Sequence, residues 1–134
     1  GQTDSAVWGE VLTRAVMQRG CAGTILDGAT RDIAEIRALA FPLFCRGAVP
    51  RGPHKGFGGV IDGPIAVGGV TVRPGDLILG GDDGVVAVPR AKVDSLLPAA
   101  RQQIEREQHW FEEIAKGRST ADILGLPEAE ITED

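Results

Sequence analysis

Between Ile65 and Val88 the chain makes four short apolar runs, Ile65-Ala66-Val67, Val70-Thr71-Val72, Leu77-Ile78-Leu79 and Val85-Val86-Ala87-Val88. Gly68-Gly69, Pro74-Gly75-Asp76 and Asp82-Asp83-Gly84 stand between them. Runs of β-branched residues this short, punctuated by residues that fix turns or supply positive φ, form antiparallel hairpins. A chain holding this block is committed to short strands, and the rest of the sequence has to cover them.

The flanking segments supply the cover. Val7, Trp8, Val11, Leu12, Ala15 and Val16 recur at helical spacing, which predicts a first helix ended by Gly20. Gly23-Thr24-Ile25-Leu26 reads as a buried strand that delivers the chain to a turn at Asp27-Gly28. A second helix follows, capped by Thr30, with Ile33, Ile36, Leu39 and Ala40 as its stripe and Pro42 as its breaker. Pro42 to Cys45 is the next short strand, and Gly47 to Gly63 has the composition of a surface loop. From Arg90 to about Lys116 the pattern is helical, with Pro98 expected to kink or divide it. A short helix from Thr120 to Leu124 precedes an acidic tail expected to fray. This order predicts an α/β layered domain with helices over short-stranded sheets. At 134 residues the chain has room for a single domain, 1–134, with one modest core.

Composition narrows the function classes. Nineteen glycines and eight prolines, with no tyrosine, leave Val, Ile, Leu and Ala to make the core. A formal net charge of −5 with scattered basic residues argues against nucleic acid or an anionic membrane as partner. Cys21 and Cys45 form no CxxC pair and read as two buried thiols in a reducing cytoplasm. No apolar run reaches the roughly 18 residues that span a bilayer, and no signal-peptide pattern leads the chain, so a cytoplasmic location is expected.

Candidate chemistry gathers at Thr30-Arg31-Asp32, a charged pair between a buried strand and a helix, where α/β folds place their sites. Arg31 and Asp32 can equally be a surface cap and its counter-charge. A second acid, Glu10, stands next to Gly9, with twenty residues between it and Arg31.

This Glu-x20-Arg-Asp pattern resembles the signature of the class II pyruvate aldolases, the RraA-like family that also contains regulators of ribonuclease activity. Further landmarks follow in family order: Gly9-Glu10-Val11-Leu12, Ile25 to Asp32, Phe41-Pro42, Gly68-Gly69-Val70, Pro74-Gly75-Asp76 and Asp83-Gly84-Val85-Val86. Together they cover roughly Gly9 to Pro89. The resemblance implies a swivelling β/β/α fold and a lyase that cleaves 4-hydroxy-4-methyl-2-oxoglutarate-type 2-oxo acids to pyruvate and decarboxylates oxaloacetate. It makes Asp32 the direct ligand of Mg2+ or Mn2+, with Glu10 reaching the metal through water. Arg31 would grip the substrate, and backbone N–H groups at Gly9, Glu10 and Val11 would receive its carboxylate. The chemistry of the residues agrees, since magnesium sites commonly combine one or two carboxylates with waters and a chelating substrate.

Other residues carry weaker readings. His54 could touch the distal end of a substrate, while His109 reads as a surface or interface residue. Lys55, Lys92 and Lys116 read as solvated. Gly56-Phe57-Gly58-Gly59 lacks the strand and helix that a dinucleotide loop requires. Asp76, Asp82 and Asp83 fit ordinary hairpin chemistry. Gly81 departs from the family, in which an acid often precedes Asp83. Members also usually carry some tens of residues ahead of the position of Gly9, so the chain is expected to lack an N-terminal segment, which a separate fragment could supply. The resemblance further implies a homotrimer or hexamer. The alternative function is a non-catalytic regulator that binds a ribonuclease or another protein.

Overall fold

The structure, a computed structural model, describes residues 1–56 and 58–128. Contacts gather in two compact units, Gly1–Arg90 and Ala91–Asp134, a division not drawn in the sequence, which suggested one domain throughout. The acidic tail beyond Glu128 lies outside the described residues, as does Phe57 in its glycine-rich stretch.

The first unit is built on two successive βαβ crossovers. Strand β1 (Gln2–Trp8) leads into helix α1 (Glu10–Met17), strand β2 (Thr24–Thr30), helix α2 (Ile33–Ala38) and strand β3 (Leu43–Ala48). The three strands make one parallel sheet in the order β1-β2-β3. Ala6 pairs with Ala29 and Ala29 with Gly47, so the middle of the sheet is lined with small residues. Ala6 and Ala29 are buried there, and Ile36 from α2 and Phe41 complete the apolar core.

The predicted hairpin block forms as expected. Strands β4 (Ile65–Val67) and β5 (Val70–Val72) pair antiparallel through Gly68-Gly69, both glycines at positive φ. Strands β6 (Leu77–Gly81) and β7 (Gly84–Val88) pair through Asp82-Asp83. The Asp76 carboxylate accepts from the N–H groups of Arg73 (2.8 Å) and Arg90 (3.2 Å), which ties the Pro74-Gly75 turn to the end of the second hairpin. Asp76 is therefore turn chemistry, as its Pro-Gly-Asp context suggested.

Several expectations are corrected. Val7 and Trp8 belong to β1, not to the first helix, because their backbone is taken up by pairing with β2. Helical spacing in α1 also misidentified the buried face: Val11 is 79% exposed and Leu12 46%, while Thr13 is buried completely. Asp27-Gly28 is no turn. It lies inside β2 where the register shifts between Leu26 and Ala29, and an irregularity of this kind absorbs a turn-type dipeptide without ending the strand. Arg46 on β3 reaches across to Asp27, and this hydrogen bond holds the Asp27 carboxyl below its ordinary range. Thr30 does not cap α2. It is the last residue of β2, fully buried, and its hydroxyl donates to the Arg31 carbonyl at 3.2 Å. Both cysteines are exposed, not buried.

The second unit holds helix α3 (Val93–Ala115) and helix α4 (Thr120–Leu124). Pro98 does not divide α3, which runs through it for 23 residues. Pro98 falls early in the helix, so only the carbonyl one turn before it loses a partner. Ser119 caps α4 by accepting from the Asp122 N–H at 3.1 Å. Among the described residues, no helix is long and apolar enough to cross a membrane.

At the end of α3, Glu113 accepts from Lys116 Nζ at 2.7 Å and Arg118 Nη1 at 3.1 Å. These bonds hold the Glu113 carboxyl below its ordinary value and raise Lys116 above its own. A lowered carboxyl pKa contributes stability above the unfolded value that is lost as pH falls through the folded one. A raised lysine pKa contributes stability that is lost as pH rises through its folded value. Acidification below the ordinary glutamate range should therefore loosen the α3 terminus. Circular dichroism at 222 nm should show a low-pH loss of helicity that is smaller in Glu113→Gln.

Candidate functional site

The β1–α1 and β2–α2 connections lie side by side at the carboxyl ends of two parallel strands, where open α/β sheets place their clefts. Trp8 pairs with Thr30, so the residues that follow each strand, Gly9-Glu10 and Arg31-Asp32, emerge as neighbours. The Arg31 N–H donates to the Trp8 carbonyl at 3.1 Å and extends the pairing by one residue.

Gly9 is the closest point between the two connections. A Cβ placed on it would lie 2.6 Å from Asp32 Oδ2 and 3.2 Å from Arg31 Cγ. The φ of Gly9 is −176°, an extended value open to any residue, so glycine is required here by space. Through that gap the Glu10 N–H donates to Asp32 Oδ2 at 3.1 Å. Asp32 itself has φ 58° and ψ 43°, a left-handed conformation that costs an L-residue about 1–2 kcal/mol. A hydrogen bond to a charged group contributes about 1.5–3 kcal/mol, enough to offset that cost.

A second network holds the β1–α1 turn. Trp8 Nε1 donates to Thr13 Oγ1 at 2.8 Å, and Thr13 Oγ1 donates to the Gly9 carbonyl at 3.0 Å. The Thr13 N–H reaches the same carbonyl at 3.1 Å. The buried hydroxyl thus locks the start of α1 against the indole, and with it the direction of the Glu10 amide. Nothing in the spacing of apolar residues marked Thr13, which shares a short helix with Glu10 and Arg14.

The charged groups are arranged around this frame. Arg31 Nε lies 3.6 Å from Asp32 Oδ2, with the two side chains 44% and 36% exposed. Glu10 Oε1 accepts from Arg14 Nε at 2.8 Å and lies 2.7 Å from Arg14 Nη2. Among the described residues no hydrogen bond reaches Asp32 Oδ1 or Glu10 Oε2. Of the backbone donors suggested by sequence at Gly9, Glu10 and Val11, the Glu10 N–H is given to Asp32. Among the described residues the Val11 N–H has no partner, as a first helical turn leaves it.

A cavity of about 350 Å3 is lined by Trp8, Gly9, Val11, Arg31, Asp32 and Lys55 among others, while the Glu10 side chain, paired with Arg14, is not part of its lining. Lys55, read from sequence as a solvated loop residue, is exposed as expected and also borders this cavity. The loop reaches it because Ala6 N–H donates to the Arg51 carbonyl at 2.8 Å and Gly52 leaves room for Arg31 Nη1, 2.9 Å from where its Cβ would be. His54 lines an adjoining cavity of about 400 Å3 with Asp4 and Arg51. His109 is exposed on α3, in the other unit.

Among the described residues no three His, Cys, Asp or Glu side chains converge. A hard divalent cation does not need three, because magnesium keeps several waters and accepts one or two carboxylates. The open oxygen of Asp32 suits such a cation, which would complete its shell from water and a chelating ligand.

These features can be set beside known proteins. A family model described as RraA-like, Aldolase/RraA, matches residues 1–87. The 4-hydroxy-4-methyl-2-oxoglutarate aldolase of Thermus thermophilus is 35% identical over 89 residues, covering 66% of this chain and 54% of that protein. Among solved structures, an uncharacterized protein from Pseudomonas syringae pv. tomato matches with a TM-score of 0.79 at 28% identity, over 90% of this chain and 61% of its own. RraAS2 of Streptomyces coelicolor, described as an unusual member of the RNase ES inhibitor RraA protein family, matches with a TM-score of 0.69 at 34% identity, over 86% and 57%. The chain spans about half the length of the curated relatives it matches. The chain thus shares its fold with these proteins and belongs to the RraA-like family.

Proposed function

We propose that the chain carries the reaction centre of a divalent-metal-dependent lyase that releases pyruvate from 4-hydroxy-4-methyl-2-oxoglutarate-type 2-oxo acids and decarboxylates oxaloacetate. The observation that carries this reading is the Asp32 carboxylate, fixed on one oxygen by the Glu10 amide and open on the other, beside the Arg31 guanidinium in one cavity. The aldolase named among the relatives supports it.

Asp32 would hold Mg2+ or Mn2+ through its open oxygen, and Glu10 would reach the ion through water. When bound, such an ion supplies positive charge next to the oxygens of the 2-oxo acid. Arg31 presents a planar fork that matches a pair of substrate oxygens, and its charge favours the electron density that moves onto the C2 oxygen as the C3–C4 bond breaks. The electron pair of that bond becomes the pyruvate enolate, the C4 hydroxyl loses its proton as C4 becomes a carbonyl, and C3 takes a proton to give pyruvate. A water on Glu10 Oε2 carries these protons. The Val11 N–H, at the positive end of α1, receives the substrate carboxylate.

Assembly belongs to the same reading. Among the described residues the apolar core is confined to Ala6, Ala29, Ile36 and Phe41, while Val11, Val60 and Ile61 stand in solvent. A homotrimer or hexamer, or a separate N-terminal fragment of the same protein, would cover such surface and stabilise the unit by mass action. The likeness to RraAS2 favours a second reading, a regulator that binds a ribonuclease or another protein, for which neither Arg31 nor Asp32 has to act on a small molecule.

The test is pyruvate release from 4-hydroxy-4-methyl-2-oxoglutarate and from oxaloacetate, with Mg2+ and with a chelator, by this chain and by a form extended to the length of its relatives. Turnover that needs Mg2+ supports the lyase; two folded forms that release no pyruvate support the regulator. In the active form, Asp32→Asn should lose Mn2+ binding, followed by water proton relaxation, and turnover should fall on the order of a hundredfold or more. A folded Asp32→Asn protein with full activity sinks the mechanism. Arg31→Ala should lose turnover by a comparable factor while still binding Mn2+, and loss of the ion as well would assign Arg31 to the metal site instead.

A further inference from the structure

Helix α3 runs for 23 residues without a single buried one. Its apolar residues are not scattered. Val93, Leu97, Ala100, Ile104, Phe111 and Ile114 fall alternately four and three residues apart, with Glu107 in the one remaining place, which is the heptad spacing of a coiled-coil seam. Leu97, Ile104, Phe111 and Ile114 are 45%, 57%, 65% and 44% exposed. Helices of globular proteins bury a stripe of this kind. At about 1.5 Å per residue the seam is about 30 Å long, enough for three heptads of contact.

We propose that this seam docks a second copy of the same helix, running antiparallel. Glu107 decides the direction. A parallel pair in register would set Glu107 against Glu107 inside the seam, and two like charges there have no compensation. The antiparallel alignment instead sets Leu97 against Ile114, Ala100 against Phe111 and Ile104 against Glu107 of the second copy, each pairing occurring twice. The largest seam residue then faces the smallest, which fills the layer without a clash. Arg101, adjoining Ala100, comes within one helical turn of Glu107 of the second copy, and the twofold axis repeats the pair.

The charges of the single chain leave this pairing open. Among the described residues no carboxylate lies within ion-pair reach of Arg101. Glu107 Oε1 accepts only from Gln103 Nε2, at 2.7 Å. Arg101 and Glu107 are six apart, so on one helix they are not neighbours, and an attraction between them acts between copies. The seam is therefore self-complementary in shape and in charge, as a twofold contact requires.

Sedimentation equilibrium of this chain tests the proposal. Ile104→Glu should halve the assembled mass, whatever other contacts the first unit makes. Its circular dichroism should be retained, because Ile104 is more than half exposed in the single chain and its replacement removes little internal packing. Arg101→Glu and Glu107→Arg should each weaken self-association tenfold or more, and the double reversal should restore it, since the charges are then exchanged across the twofold axis. A wild-type chain whose mass does not change with Ile104→Glu overturns the proposal, as does a double reversal no better than either single one. A monomeric wild-type chain also overturns it and leaves the seam to a different protein.

Discussion

The hydrogen bond from the Glu10 amide to Asp32 crosses a space that exists only because Gly9 has no side chain. It joins the ends of two parallel strands whose register is set residues earlier, at the Ala6–Ala29 pairing. Small residues let the strands approach, the strands aim the two turns at each other, and the turns orient a carboxylate with one satisfied and one open oxygen. The left-handed conformation of Asp32 is tolerable in that setting because the amide holds it there. Local strain and local attraction are of similar size, so the geometry depends on the contact that closes it.

Around this junction the molecule is sparsely packed. Among the described residues four apolar ones make the buried core, and Thr13 and Thr30 are buried as completely as any of them. Polar groups at such depth are tolerated only when bonded, and both are: Thr13 through Trp8 and Gly9, Thr30 through Arg31. The site is thus framed by directional bonds more than by hydrophobic mass, which suits a position that must hold atoms at fixed distances. The hairpins and α3 show the opposite balance, with apolar faces that internal packing leaves largely uncovered.

How much of this was legible in the sequence differs by element. The hairpin block could be read because Gly-Gly, Pro-Gly-Asp and Asp-Asp-Gly each prescribe a turn, leaving β-branched runs nowhere else to go. That Arg31 and Asp32 stand where a buried strand meets a helix could be read from the local pattern, and the family pattern supplied Glu10, whose amide the structure brings to Asp32. Val7 and Trp8 misled, since a strand that flows into a helix through one glycine continues the helical spacing by chance. Asp27-Gly28 misled because a turn dipeptide can be absorbed by a register shift when its carboxylate finds a partner on the next strand. Thr13 and the fold-back of the Arg51–Lys55 loop gave no signal. Their roles come from a buried bond and from a loop folding back, which are tertiary events that no local pattern encodes.

The claim on which the account turns is that the space at Gly9 positions Asp32 for its chemistry, and Gly9→Ala tests it most directly. The added Cβ would stand 2.6 Å from Asp32 Oδ2, so the carboxylate must move, while the extended backbone at this position accepts alanine without strain. The account predicts a folded protein with unchanged far-UV circular dichroism that has lost Mn2+ binding and pyruvate release together. A Gly9→Ala protein that binds Mn2+ and turns over 2-oxo acids as the parent does would contradict it.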